Sequence, residues 1–173
     1  MTHVRKQIRD AVATLVTGLP TAWASVYKMR RYALDDAKLP AICVYTGDEN
    51  SSLITVGSRT LRRVINVVVE AYCKGASTAV QDTIDTMCVE IEEAIAASFD
   101  LGGLAKSTIL TATEIDINVQ GESAIASAKL VYAVEYITAI GDVTGRSFYD
   151  TNSSLSTVLP GDLVRNTTDR KSV

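Results

Sequence analysis

The stretch Thr60–Cys73 constrains the fold more than any other part of the chain. It alternates for fourteen residues and is rich in Val and Ile, as strand packing prefers. One face carries Arg63, Ile65, Val67, Val69 and Ala71, and the other carries Arg62, Val64, Asn66, Val68, Glu70 and Tyr72. Apolar residues on both sides predict a central strand, with one face on a helix and the other partly covered.

Helices are predicted on either side of that strand. Val4, Ile8, Ala11, Val12, Leu15 and Val16 form one stripe at helical spacing, stopped by Gly18 and Pro20. Thr2 is a candidate cap. After the turn Lys74-Gly75-Ala76, Ser77 reads as the cap of a second helix, whose stripe is Val80, Ile84, Met87, Cys88, Ile91 and Ile95. The helices are expected over about Thr2–Thr17 and Ser77–Ser98.

The remaining segments read mostly as strands. Ser25-Val26-Tyr27 is a short candidate, and Ala41–Tyr45 is a compact apolar run after Pro40. The polar residues Gly47 to Ser52 read as a turn or loop. Leu101-Gly102-Gly103-Leu104 is a break. Then Ser107–Val119 and Ser123–Thr138 read as a hairpin about Gln120-Gly121-Glu122. In the first of these, Ile109, Thr111, Thr113, Ile115, Ile117 and Val119 are expected on one face. In the second, Ala126, Ala128, Leu130, Tyr132, Val134 and Tyr136 share a face, with Ser127, Lys129 and Glu135 opposite. This order predicts an α+β fold: a mostly antiparallel sheet with two helices packed on one face, plus an extended C-terminal arm. Residues 1–140 form the expected domain. Residues 141–173 break up into Gly, Asp, Ser, Thr and Asn around Phe148, Tyr149, Leu155, Val158, Leu159, Leu163 and Val164, and read as an extended or flexible arm, either a disordered tail or a segment that orders on a neighbour.

Composition narrows the function. The 173 residues are 47% hydrophobic and 21% charged, values of an ordinary globular chain that needs no disulfide or metal to fold. A net charge of −3 argues against broad nucleic-acid coating. Cys43, Cys73 and Cys88 match no zinc spacing and read as small buried hydrophobes in a reducing compartment. The start lacks an apolar signal core, and no run of about 20 apolar residues exists to span a membrane. Without a secretion signal, the Asn-x-Ser/Thr matches at Asn50, Asn152 and Asn166 read as chance.

Catalytic signals are sparse. The one histidine, His3, reads as a solvated terminal residue, unsuited to a triad that needs a fixed imidazole. Glu114 and Asp116 share a strand face and could serve a hydrolase, but the same spacing is that of a solvated face. Gly102-Gly103 lacks the residues of a phosphate loop. No cofactor or metal is expected. Two basic groups, Arg30-Arg31 beside Tyr27 and Tyr32, and Arg59, Arg62 and Arg63, suit either nucleic acid or acids on a neighbouring subunit. The interface reading makes Arg31, Arg62, Arg63 and Glu70 candidate subunit contacts.

Several patches also resemble one known family. They are Val4-Arg5-Lys6-Gln7-Ile8, Leu19-Pro20, Val26-Tyr27, Arg31, Tyr32 and Leu39-Pro40-Ala41-Ile42-Cys43-Val44-Tyr45. Later come Thr113-Glu114-Ile115-Asp116, Gly121-Glu122 and Ala128-Lys129-Leu130-Val131-Tyr132-Ala133-Val134-Glu135-Tyr136. Together they resemble phage tail terminators, similar to minor tail protein U of lambda-like phages, over about residues 1–140. The resemblance implies a non-enzymatic virion protein assembled in the host cytoplasm. It implies a homohexameric ring at the head-proximal end of the tail that caps the tail tube and stops its polymerisation. Its partners would be the tail tube protein and a head–tail connector protein, with DNA passing through the lumen without specific binding. Another head–tail joining protein or a tube protein would read similarly. A hydrolase using Glu114 and Asp116, or a nucleic-acid binder using the arginines, are the readings from other classes.

Overall fold

The computed structural model describes residues 2–22, 25–28, 36–55 and 59–140. The elements run α1 (Val4–Leu15), β1 (Val26–Lys28), a 3-10 turn (Asp36–Lys38), β2 (Ala41–Thr55), β3 (Thr60–Ala76), α2 (Val80–Ala96), β4 (Ser107–Gln120) and β5 (Ser123–Ala139). One five-stranded sheet has the order β1-β2-β3-β5-β4. Among the described residues, only β1 is parallel to its neighbour and the other pairings are antiparallel. The α+β class is therefore as expected, while the C-terminal arm lies outside the described residues.

The two helices cover the same sheet face. Val4, Ile8 and Val12 of α1 and all six residues of the α2 stripe are buried. They join one core with Ile42, Val44, Ile65, Val67, Val69, Ala71 and the inward residues of β5. Along β5 burial alternates without interruption, so Ala124 through Thr138 point to the helices at every second position. Each fully buried Val, Leu or Ile contributes about 1.5–3 kcal/mol before ordering costs, which is why this face is nearly continuous in apolar side chains. The segment after α1 is fixed to α2 by Glu90, which accepts from the Thr21 backbone N–H at 3.1 Å and its hydroxyl at 2.8 Å.

Three local expectations are corrected. Gly47 to Ser52 is not a loop but the middle of β2, paired with β3 out to Thr55↔Thr60. A bulge between Thr46 and Glu49 absorbs Gly47 and Asp48, and pairing with an apolar neighbour holds a polar segment that has little strand propensity of its own. In β4 a register shift between Leu110 and Ala112 reverses the side-chain parity. Leu110 and Ile117 therefore pack against the core, and Ile109 falls on the opposite face from Ile115 and Ile117. The caps also differ. His3, not Thr2, caps α1, its Nδ1 accepting from the Arg5 backbone N–H at 3.1 Å. The residue ahead of α2 is Ala79, without a side-chain cap, and not Ser77. The β4–β5 connection is the expected tight turn, with Gly121 at a φ of 67°.

Candidate assembly interface

Away from the helices, the other sheet face is partly open among the described residues, with Cys43 and Val68 buried on it. It carries Tyr45 of β2, then Arg62, Val64, Asn66, Glu70 and Tyr72 of β3, and Ile125, Val131, Glu135 and Ile137 of β5, none of them fully buried. At one end, Ser52, Leu53 and Ile54 of β2 join Arg62, Lys106, Ser107, Glu135 and Ile137 around a shallow groove of about 590 Å³. Leu53 and Ile54 are each 50% exposed. Arg62 reaches across to Glu135 at 2.6 Å, and Lys106 approaches the same carboxylate at 3.9 Å. The groove thus mixes apolar and polar surface about equally, as a protein contact rim does and a small-molecule cleft does not.

Glu70 sits at the centre of this face and accepts hydrogen bonds from the hydroxyls of Tyr45 and Tyr72, the latter at 2.6 Å. Burial first, then the Glu70 carboxylate, raises the pKa of both phenols.

Arg63 lies on the helix side and serves the subunit itself. It meets Glu49 at 3.0 Å and Ser51 Oγ at 3.2 Å, with its guanidinium 5.9 Å from the Tyr136 ring centroid. Glu49 also accepts from the Tyr136 hydroxyl at 2.9 Å and faces Arg5 of α1 at 3.5 Å. The β2 bulge is what puts Glu49 on this side: two residues opposite one shift the parity, so the carboxylate turns toward α1. The polar run Gly47-Asp48-Glu49 was the only signal of this cluster in the sequence, and it reads equally as a turn.

The arginines of β3 thus find acids within their own chain, Arg62 with Glu135 and Arg63 with Glu49. Arg30, Arg31 and Tyr32 lie outside the described residues. Glu114 and Asp116 are both exposed, and Glu114 pairs across the hairpin with Lys129 at 3.1 Å. Among the described residues, no group of three His, Cys, Asp or Glu is placed to hold a metal ion. His3 is a helix cap, and its pKa is lowered, first by burial and next by Arg5. All three cysteines are buried thiols, and burial pushes the Cys88 thiol up to about 11. Among the described residues no helix is long and apolar enough to cross a membrane.

The sheet edges are unlike. β1 is a three-residue edge, whereas β4 is a fourteen-residue edge with Ile109, Ile115 and Val119 exposed at 59%, 45% and 58%.

No curated protein matches the chain. Among solved structures, a chain from the virion of a native gene transfer agent (GTA) particle is similar at a TM-score of 0.33 and 14% identity, over 78% of this chain and 92% of that one. That likeness is too slight to bear on function. The family described as phage minor tail protein U matches residues 3–136 of the 173, and the chain therefore belongs to that family of phage tail structural proteins.

Proposed function

We propose that this protein is a tail terminator: a structural virion protein, not an enzyme, that forms a ring on the end of the phage tail tube. The observation that carries the reading is family membership across residues 3–136. The ring ends tube polymerisation and offers its other face to a head–tail connector protein. It sits at the head-proximal end of the tail after assembly in the host cytoplasm, with DNA passing through its lumen. Six subunits is the number that the sequence resemblance implies.

The chemistry of the surface supports this reading. A ring closes through head-to-tail contacts between two different surfaces of each subunit. The apolar groove rim at Leu53 and Ile54 offers one such surface. Arg62 and Glu70 stand on the open face, where a neighbour could reach them; Arg31, Arg62, Arg63 and Glu70 remain the proposed contact residues, with Arg63 the most occupied within its own subunit. Stopping growth needs one ring face that fits the tube and another that rejects a further tube ring. The experiment is negative-stain microscopy of purified tail tubes with and without the protein. Caps on one tube end support the terminator reading; tubes that lengthen when the protein is added would instead make it a tube subunit.

A further inference from the structure

We propose that the outer edge of β4 is a docking site for an extended segment of this chain's own C-terminal region, residues 154–159, which adds a sixth strand to the sheet. The inference does not depend on the ring: it concerns what covers β4, in one subunit or between two copies.

An edge strand turns every second N–H and C=O outward, and proteins blunt long edges with Pro, Lys, shortness or a covering element. β4 spans fourteen residues, Ser107–Gln120, without a proline or lysine. Its one irregularity is the bulge between Leu110 and Ala112. The side chains from Thr111 to Asp116 are all exposed, and Ile109, Ile115 and Val119 offer apolar surface on both of its faces. An incoming strand must therefore bring apolar residues to both sides.

Residues 154–159 read Ser-Leu-Ser-Thr-Val-Leu and are closed by Pro160-Gly161. Strand alternation would put Leu155 and Leu159 on one face and Val158 on the other. The segment is uncharged, so it brings no like charge against Glu114 or Asp116.

The chain also leaves the sheet at the right end. Ser107, where β4 begins, pairs with Glu135 of β5, and the last described residue, Ile140, donates its N–H to the Arg59 carbonyl at 2.7 Å. Residues 141–153 can span up to roughly 43 Å when extended. The outer side of β4 is only about two strand spacings from β5, or about 10 Å. The reach covers the subunit's own edge and a close neighbour's.

The test is hydrogen exchange of β4 amides in the full chain, comparing wild type with Thr157→Pro and Val158→Pro. Only alternate residues of a paired strand donate to its partner, so one proline should break the pairing more than the other. We expect β4 amides to exchange at least about tenfold faster in that variant, while β3 and β5 stay protected. Protection that rises with concentration marks pairing between copies, and protection independent of it marks pairing within one chain; either upholds the docking site. Native mass spectrometry of the same samples reads oligomer size separately, so a failed ring and a failed β4 pairing are told apart. Equal β4 exchange in all three proteins overturns the proposal.

Discussion

Removing the Glu49 carboxylate should be among the most damaging single changes to the subunit. Its side chain is 9% exposed and serves Tyr136, Arg63 and Arg5 together. In Glu49→Ala the Tyr136 hydroxyl, on a residue 2% exposed, loses its acceptor, which costs about 1–3 kcal/mol. Breaking a fully buried ion pair costs about 3–5 kcal/mol, but Arg63 is 18% exposed and keeps Ser51, so its share is smaller. Arg5 is half exposed and adds less than about 1 kcal/mol. The expected total is about 2–4 kcal/mol, a large fraction of the stability of a domain this size. Tyr136→Phe alone should cost about 0.5–1.5 kcal/mol, and the double variant less than the sum of the two. Urea unfolding followed by circular dichroism reads all three. A cost below about 1 kcal/mol for Glu49→Ala, or an equal cost for Arg5→Ala, would refute the idea that the bulge builds a structural hub.

Tyr132 lies on the same strand face as Tyr136, but its buried hydroxyl has no hydrogen-bond partner among the described residues, so Tyr132→Phe should be neutral within about 0.5 kcal/mol or stabilising in the same urea assay. His3 caps α1 only while its Nδ1 is unprotonated, and its pKa lies below the usual 6.5; its contribution is therefore present above pH 6.5 and lost as pH falls through the lowered value. Melting across pH 7 to 5 should show that loss in wild type and not in His3→Ser, which keeps a cap without titrating. Arg62→Glu should melt within about 1 kcal/mol of wild type, because the Arg62–Glu135 pair is surface-exposed on the arginine side, yet it should weaken subunit association in sedimentation. Deleting residues 141–173 should leave a subunit that still folds and unfolds cooperatively, losing at most the stability of one added edge strand, since the core already closes between Val4 and Tyr136; failure of the shortened chain to fold would move the domain boundary.

The parts of the fold legible in the sequence are those where periodicity and burial coincide. The α2 stripe is buried at all six positions, and the alternation of β5 is unbroken. The β3 faces divide as their pattern demands, because a strand with two neighbours has its parity fixed along its whole length. Reading failed where parity is interrupted. The bulges at Gly47-Asp48 and Thr111 each shift a side-chain register, and nothing in a one-dimensional pattern marks the shift. The first hid six residues of strand and the reason Glu49 faces Arg5; the second sent Ile109 to the open face. Arg62 and Arg63 were recognisable as a group, but their partners, Glu135 and Glu49, are distant in the chain and meet them only through the sheet.

A tail terminator must close into a ring and stop a tube. Native mass spectrometry of the full chain, mixed with tail tubes and then released from them, tests it most directly. One closed oligomer, expected at six copies, should be recovered in proportion to tube ends and not to tube length. Recovery as monomer alone, or in an amount that scales with tube length, would contradict it.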